Sequence, residues 1–272
     1  MSLRIAEVPA GRGAVWVRHS FVLFFRHPLG FSLLFFLFLV AALILMALPW
    51  IGAFLLLAVM PLLTLGFAAA TRAAQQGQPV HAGLLFEPFK PGADAQRRNV
   101  LLRLCLLYAA LTAGTLLLAQ SIDAGAFERL QLLLGAQRTE ANQREIEAAL
   151  ADPGLVNGML VRLVLLGLIS VPFWHAPMLV AWQGQGLAQS LFSSALACWR
   201  NRGAFFIYLM AWAGVSAAIG LVASLVVGLI GGQALAALTL PPVALLLSVA
   251  FYVSLYFMYA ESFAATPQTP AA

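Results

Sequence analysis

Charged side chains are scarce in this sequence of 272 residues. Asp, Glu, Lys and Arg together make up 9% of the chain, whereas 62% of it is hydrophobic. A soluble domain carries about 25% charged and about 45–50% apolar residues, so these proportions exclude a soluble globular fold. They also exclude disorder, because disordered chains combine low hydrophobicity with high net charge. The sequence therefore predicts an integral membrane protein.

Cysteine is also rare, since the chain holds only Cys105 and Cys198, and a disulfide scaffold is excluded. His19, His27 and His81 lack metal-ligand spacing with any cysteine or carboxylate. Walker, Gly-x-Ser-x-Gly and His-Glu-x-x-His motifs are missing as well. We therefore expect no metal site, no cofactor and no enzyme activity.

Four long stretches contain no Asp, Glu, Lys or Arg. They are residues 27–71, 104–122, 163–199 and 203–260, with lengths of 45, 19, 37 and 58 residues. About 20 apolar residues in a helix cross a bilayer, so the first and last stretches hold two spans each. Their breaks are expected near Trp50, which suits an interface, and at 231–233. The predicted spans are 28–47, 51–71, 100–121, 158–182, 204–230 and 235–260.

The predicted fold is an all-α, polytopic membrane protein with six transmembrane helices in a single domain, 1–272. An interfacial helix at 14–27 precedes the first span. A loop at 122–157 joins spans 3 and 4, and within it the segment "TEANQREIEAALADPG" favours a short polar helix, either a lid or partner site or a plain connector. The tail at 261–272 is expected to be unstructured from "SFAATPQTPAA" onwards.

Basic residues predict the orientation of the chain. Ten of them lie before span 1, between spans 2 and 3, and between spans 4 and 5, and the same side carries four acidic residues, three in these segments and Glu261 after span 6. The 122–157 loop carries a formal charge of −3 instead. The positive-inside rule then places both termini in the cytoplasm. Anionic lipid headgroups explain the overall charge of +5, so membrane lipids rather than nucleic acid are the expected partners.

A unit of one interfacial helix and two spans is predicted to occur three times. The first begins with "WVRHSFVLFFRHP" and the third with "LAQSLFSSALACWRNRG", and both end in an aromatic–Arg pair before the next span. Leu187, Leu191, Ala195 and Cys198 are expected to share the apolar face of the later helix. A shorter, proline-broken relative, "VHAGLLFEPFKPG", precedes span 3.

These segments, with "MPLLTLGFAAATRAAQQGQPVHAGLLFEPF" and "PFWHAPMLVAWQGQGLAQSLF", carry a resemblance that covers nearly the whole chain. The chain resembles a family of uncharacterised proteobacterial inner-membrane proteins of about this length. It is more distantly similar to the membrane region of some glycerophosphodiester phosphodiesterases, without their hydrolase domain. The resemblance implies a topology and no activity, so no functional residues follow from it.

The segment "SVPFWHAPMLVAW" in span 4 is the candidate hinge or ligand site. Pro172 and Pro177 each remove a backbone donor and predict a kink, and His175 lies between them. An ionisable residue at this depth points to a proton- or ligand-responsive hinge. The alternative is a neutral imidazole that hydrogen-bonds a carbonyl freed by the kink.

Small residues recur every fourth position along span 5. They are Ser216, Gly220, Ser224, Gly228 and Gly232. Such a stripe allows close helix packing, against either an internal helix or a second subunit. Gly220→Leu is expected to destabilise the bundle by forcing the backbones apart.

Three further features have a packing interpretation and a functional one. Arg103 and Arg162 lie near span ends, where snorkelling to headgroups competes with an ion-pathway role. Tyr252, Tyr256 and Tyr259 recur on one face of span 6 as an aromatic belt or, alternatively, a ligand cage.

Two functions remain open at this stage. The first is a non-enzymatic protein that organises lipid or partner membrane proteins, and the second is a small-molecule or lipid transporter. A midplane cavity lined by Ser, Thr, Gln or His175 would favour transport, whereas a solidly packed bundle would favour the organiser.

Overall fold

The structure is a computed structural model that describes residues 4–90, 92–135, 140–230 and 233–263. Every regular element in these ranges is helical, with two short 3-10 turns at Ala82–Leu84 and Glu87–Phe89. The α-helices are α1 (Arg12–Arg26), α2 (Pro28–Met46), α3 (Gly52–Gln75), α4 (Ala95–Asp123), α5 (Ala126–Gly135), α6 (Glu140–Leu150), α7 (Pro153–Phe173), α8 (Ala176–Gln183), α9 (Leu187–Arg200), α10 (Arg202–Ile230) and α11 (Gln233–Ser262).

Among the described residues, six helical segments are long and apolar enough to cross a membrane, which confirms the predicted number of spans and the all-α polytopic fold. They are α2, α3, α4, the pair α7–α8, α10 and α11. The polar helix predicted within the long loop is α6. The predicted break at 231–232 and the tail from 264 lie outside the described residues. We call the side where α1 and the end of α11 meet the terminus face, and the side of α5 and α6 the loop face.

Local sequence sets several helix ends. Asp94 accepts the N–H of Gln96 at 2.8 Å and so caps α4, and Asp152 accepts the N–H of Gly154 at 2.8 Å at the start of α7. Between α2 and α3 the chain turns through Trp50, which has φ 66° and is fully exposed. A Cβ added to Gly52 would lie 2.0 Å from the carbonyl oxygen of Leu45, so this tight turn requires glycine.

The interfacial helix α1 packs against the bundle. Trp16, Val17 and Phe24 are buried against α10 and α11, whereas Phe25 is exposed. At 15 residues, α1 is too short to cross a bilayer. Its apolar face therefore covers the terminus face of α10 and α11.

The predicted apolar face of α9 matches the structure only in part. Leu187 and Leu191 are half-buried against the core and Cys198 is buried, as predicted, but small polar residues are buried beside them. Ser190, Ser194, Ala197 and Cys198 are the buried residues of α9, while Phe192 and Trp199 are 68% and 69% exposed. Small side chains let two helices approach closely in a membrane, and large apolar ones can face lipid at little cost. The helix thus turns its smallest residues inward.

The N-terminal segment is tied to the ends of α9 and α11. The side chain of Asn201, buried between α9 and α10, accepts the N–H of Val8 at 2.8 Å and donates to the carbonyl oxygen of Ala6 at 3.1 Å. The N–H of Ala6 donates to the carbonyl oxygen of Ser262 at 3.0 Å. Arg200 donates to Glu7 at 2.7 Å and holds the pKa of that carboxyl below its ordinary value. These bonds fix the terminus face as one unit.

Candidate functional site: a broken helix and an intramembrane pocket

The fourth span is broken where its prolines predict a kink. α7 ends at Phe173 and α8 begins at Ala176, with His175 between them. Pro177 has no N–H to donate to the carbonyl of Phe173, and Pro172 likewise leaves the carbonyl of Leu168 without its usual donor. The helix therefore cannot continue its hydrogen-bond ladder through this segment.

Ser194 of α9 bridges the break. Its Oγ accepts the backbone N–H of His175 at 3.0 Å and donates to the carbonyl oxygen of Val171 at 3.1 Å. An unbroken helix would join these two backbone groups directly. The hydroxyl of α9 therefore replaces one missing turn of hydrogen bonding and fixes α8 and α9 to each other.

The imidazole of His175 does not satisfy a freed carbonyl, contrary to the alternative interpretation of the sequence. The ring is fully buried, and neither ring nitrogen has a hydrogen-bond partner within the described ranges. Aromatic rings surround it instead, with centroids at 5.4 Å for Phe263, 6.0 Å for Phe205 and 6.2 Å for Tyr259. A hinge or ligand role for His175 stays a prediction.

A pocket of about 200 Å³ lies beside the break, between α3, α4, α7 and α11. Its walls are mostly apolar, and His175 is not among them. The lining residues are Met60, Pro61, Thr64, Tyr108, Ser170, Phe173, Trp174, Phe251, Tyr252 and Leu255. All of them belong to predicted spans, so the pocket lies within the membrane region of the bundle. We call it the intramembrane pocket.

Polar groups are unevenly satisfied around this pocket. The hydroxyls of Thr64 and Ser170 donate within their own helices, at 3.2 Å to the carbonyl of Met60 and at 2.7 Å to that of Gly167. The indole Nε1 of Trp174 is buried and has no partner among the residues that the structure describes. An N–H donor without an acceptor is costly in a medium that offers none. The pocket thus holds two hydroxyls that retain acceptor capacity, and the tryptophan in its wall has a buried N–H without a partner among the described residues.

Sequence reasoning found only part of this pocket. Tyr252 was predicted to belong to an aromatic belt or packing face, with a ligand cage as the alternative. Its ring lines the pocket and stacks on Phe67 with centroids 5.2 Å apart. Pro61 was not singled out, although it lies inside α3 and leaves the carbonyl of Leu57 without its helical donor. The sequence signal that could have indicated this wall of the pocket is a proline, Pro61, with a hydroxyl residue, Thr64, one turn later in an apolar span.

The stripe of small residues on α10 faces outward. Ser216, Gly220 and Ser224 are exposed, and a Cβ added to Gly220 would meet nothing within 4 Å. These residues therefore do not pack against an internal helix. The expectation that Gly220→Leu destabilises the bundle is wrong, because the added side chain would disrupt no contact there. Gly228 is on the same helix, and Gly232 lies outside the described residues. A second subunit as the partner of this stripe stays a prediction.

Arg162 does not snorkel. Its Nη1 donates to Oδ2 of Asp123 at 2.5 Å, and its guanidinium lies 4.4 Å from the centroid of the Phe127 ring. Asp123, at the end of α4, is buried. Arg103 is exposed, as snorkelling requires. The ion pair closes the loop face between α4 and α7 and was not anticipated from the sequence.

The remaining predicted chemistry is quickly placed. Cys105 and Cys198 are both free and buried. Within the residues described here, no group of three or more His, Cys, Asp or Glu side chains is arranged to hold a metal ion.

One relative carries the comparison with known proteins. The chain is 31% identical over 261 residues to a probable inner membrane protein of Burkholderia thailandensis, an alignment that covers 96% of this chain and 94% of the relative. No protein-family profile matches the chain, and no solved structure matches it significantly. The distant similarity to the membrane region of glycerophosphodiester phosphodiesterases stays a prediction.

Proposed function

The chain belongs to the family of probable inner membrane proteins that the Burkholderia thailandensis protein represents, and we propose that it is a non-enzymatic transporter of a small amphipathic molecule or lipid. It is a multi-pass protein of the inner membrane. The observation that supports transport over a purely organising role is the intramembrane pocket, with its hydroxyls and its unpaired indole donor. A solidly packed bundle would have favoured the organiser.

The chemistry of the pocket fits an amphipathic ligand. Its walls are mainly apolar, and its hydrogen-bonding groups are Thr64, Ser170, two tyrosines and Trp174. A carbonyl or ester oxygen would accept from one of these hydroxyls, while an alkyl portion would contact Phe173 and Leu255. The pocket is lined only by uncharged residues, so it offers no counter-charge to an ion. We therefore expect the polar part of the ligand to be neutral at this depth.

The broken helix supports movement at the same place. Phe173 and Trp174 line the pocket and also form the break between α7 and α8. Discontinuous helices beside a midplane site are the usual hinge elements of transporters. Because Ser194 joins the break to α9, a displacement of α8 would carry α9 with it and widen the pocket.

Native mass spectrometry of the gently purified protein tests this proposal. We expect one stoichiometric ligand in the wild type and its loss in Ser170→Leu, which fills the pocket. Ser121→Leu is the matched control, because Ser121 has the same kind of bond, to the carbonyl of Leu118 at 2.6 Å, but lies outside the pocket. Equal ligand content in wild type and Ser170→Leu would contradict the proposal.

A second candidate, the organiser of lipid or partner membrane proteins, is favoured by the two interfacial helices. Phe25 with Arg26 on α1, and Trp199 with Arg200 on α9, are exposed on the terminus face. Aromatic–cation pairs suit the headgroup region and attract anionic lipid. Under this candidate, substitution of Arg26 and Arg200 would abolish function and Ser170→Leu would not.

We propose further that the terminus face is cytoplasmic. The ten basic residues counted in the sequence belong to the segments that lie on this face, namely the N-terminal segment, the α3–α4 connection and the α9–α10 junction. The positive-inside rule supports that orientation.

A further inference from the structure

A second cavity, of about 170 Å³, lies on the terminus face beside the start of α4. Apolar side chains, among them Leu65, Leu101 and Trp182, form part of its wall. Four charged residues line the rest, namely Glu87, Asp94, Arg97 and Arg98. No residue is shared with the intramembrane pocket, so the inference drawn here is independent of the proposed function. We call this cavity the headgroup cavity.

Two of its four charges are already paired with each other. The Nε of Arg97 lies 3.2 Å from a carboxylate oxygen of Asp94. Its Nη1 donates to the carbonyl oxygen of Ala181 at 3.1 Å, which ties α4 to α8. The charges of Arg97 and Asp94 are therefore largely satisfied by contacts within the protein.

The other two charges have no such partner. Arg98 is partly buried and Glu87 is exposed, and neither side chain has an ion pair or hydrogen bond among the described residues. A ligand in the cavity would therefore meet one unpaired cation and one unpaired anion. An ion of a single sign would satisfy one of them and be repelled by the other.

The depth of the cavity suits a lipid headgroup. It lies where α8 ends and α4 begins, beside Leu65 of α3. The guanidinium of Arg72 lies 5.3 Å from the ring centroid of Trp182 in its wall. Tryptophan and arginine together are typical of the membrane interface. The apolar wall adjoins the α3–α4 packing that leads into the bilayer.

We propose that the headgroup cavity binds a zwitterionic phospholipid of the phosphoethanolamine class. Arg98 would bind the phosphate, because a guanidinium matches phosphate oxygens in geometry and charge. Glu87 would bind the ammonium group. A phospholipid whose headgroup carries the phosphate but no ammonium group would leave Glu87 unpaired, and it is predicted to bind more weakly.

The test is lipid binding by the full chain in detergent, with phosphatidylethanolamine and phosphatidylglycerol as matched probes. Wild type is expected to prefer phosphatidylethanolamine. Arg98→Gln is expected to weaken its binding about fivefold, the effect of one interfacial charge. Glu87→Gln is expected to abolish the preference between the two lipids. Arg103→Gln is the control, since Arg103 is an exposed arginine of α4 outside the cavity.

The other possible results of the lipid-binding experiment test the proposal as follows. Equal binding of the two lipids by wild type, or equal effects of Arg98→Gln and Arg103→Gln, would overturn the proposal. Should Arg98→Gln fail to fold, Arg98→Lys keeps the charge and is expected to retain the lipid preference, whose loss would contradict the assignment. Free O-phosphoethanolamine that binds where the phospholipid does not would assign the cavity to a soluble ligand and overturn the lipid claim.

Discussion

Arg162 and Asp123 form an ion pair across 39 positions of sequence, with 2.5 Å between Nη1 and Oδ2. The carboxylate is buried at the end of α4, and its other oxygen accepts the N–H of Gly125 at 3.0 Å. A Cβ added to Gly158 of α7 would lie 2.7 Å from this carboxylate, so the two helices meet closely here. The pair therefore fixes α7 to α4 at the loop face.

Removing one member of this pair is expected to destabilise the protein strongly. Asp123→Asn or Arg162→Gln leaves a buried, uncompensated charge or a broken network, at a cost of about 3–5 kcal/mol. The measurement is thermal unfolding in detergent. Arg129→Gln is the control, because Arg129 is exposed on the same face. A midpoint for Asp123→Asn equal to that of the control would show that the pair contributes nothing.

Ser194→Ala is expected to destabilise the α7–α8 break. The substitution leaves the N–H of His175 without its acceptor, and a buried unpaired group costs about 1–3 kcal/mol. The carbonyl of Val171 loses one donor but keeps the N–H of Trp174 at 3.5 Å and the thiol of Cys198 at 3.6 Å. Ser193→Ala on the same helix is the control, since no hydrogen bond of the Ser193 hydroxyl is found in the described chain. Hydrogen exchange at His175 measures the effect directly, and unchanged protection in Ser194→Ala would argue against the bridge.

Two glycines are expected to respond differently to alanine. A Cβ at Gly13 of α1 would lie 2.1 Å from the carbonyl oxygen of Ala204, so Gly13→Ala forces α1 away from α10 and costs about 3 kcal/mol. Gly220→Ala meets open space and should change the free energy of unfolding of the monomer by less than about 1 kcal/mol. Equal unfolding temperatures for the two variants would contradict this packing.

Cys198 is expected to resist alkylation. Burial raises the pKa of its thiol to about 12, and the thiolate is the reactive form. Below the raised pKa the thiol stays protonated, so at pH 8 only about one molecule in ten thousand is ionised. In a Cys105→Ala background, maleimide should label the folded protein slowly at pH 8, with a rate that rises with pH, and should label the unfolded chain rapidly. Rapid labelling of the folded protein at pH 8 would be incompatible with this burial.

The proposed orientation predicts the behaviour of reporter fusions. Fluorescent-protein fusions at either terminus should be active, because both would lie in the cytoplasm, whereas an alkaline phosphatase inserted between α5 and α6 should be active outside it. Alkaline phosphatase activity from a fusion at either terminus would reverse the proposed topology.

The spans were predictable because the bilayer excludes charge irrespective of tertiary contacts. The stretch 27–71 alone defined α2 and α3, and Trp50 marked the turn between them. Features that depend on composition alone, such as the membrane spans, could therefore be predicted from the sequence. The helix starts were predicted less well, because the spans predicted from 100 and 158 begin at Ala95 and Pro153, directly after the capping residues Asp94 and Asp152.

Contacts between distant helices were not accessible in this way. The sequence around Arg162 is the same whether its side chain reaches a lipid headgroup or Asp123. The two cases could not be distinguished, because only the fold brings α4 and α7 together. The face of α9 was predicted only in part. Leu187 and Leu191 pack against the core as expected. Ser190 and Ser194 are buried as well, because small side chains let helices approach closely in a membrane, whereas lipid accepts the exposed Phe192 and Trp199. The intramembrane pocket combines four helices and had no linear motif.

Site-specific photo-crosslinking tests the transport proposal most directly. A benzoylphenylalanine at position 108, in the intramembrane pocket, is compared with one at position 168, where Leu168 is exposed on the outside of α7. We predict that position 108 captures one defined amphipathic molecule, lost in the Ser170→Leu background, whereas position 168 captures the bulk phospholipids. The same mixture of bulk lipids at both positions, unaffected by Ser170→Leu, would contradict the proposal that the pocket holds a specific ligand.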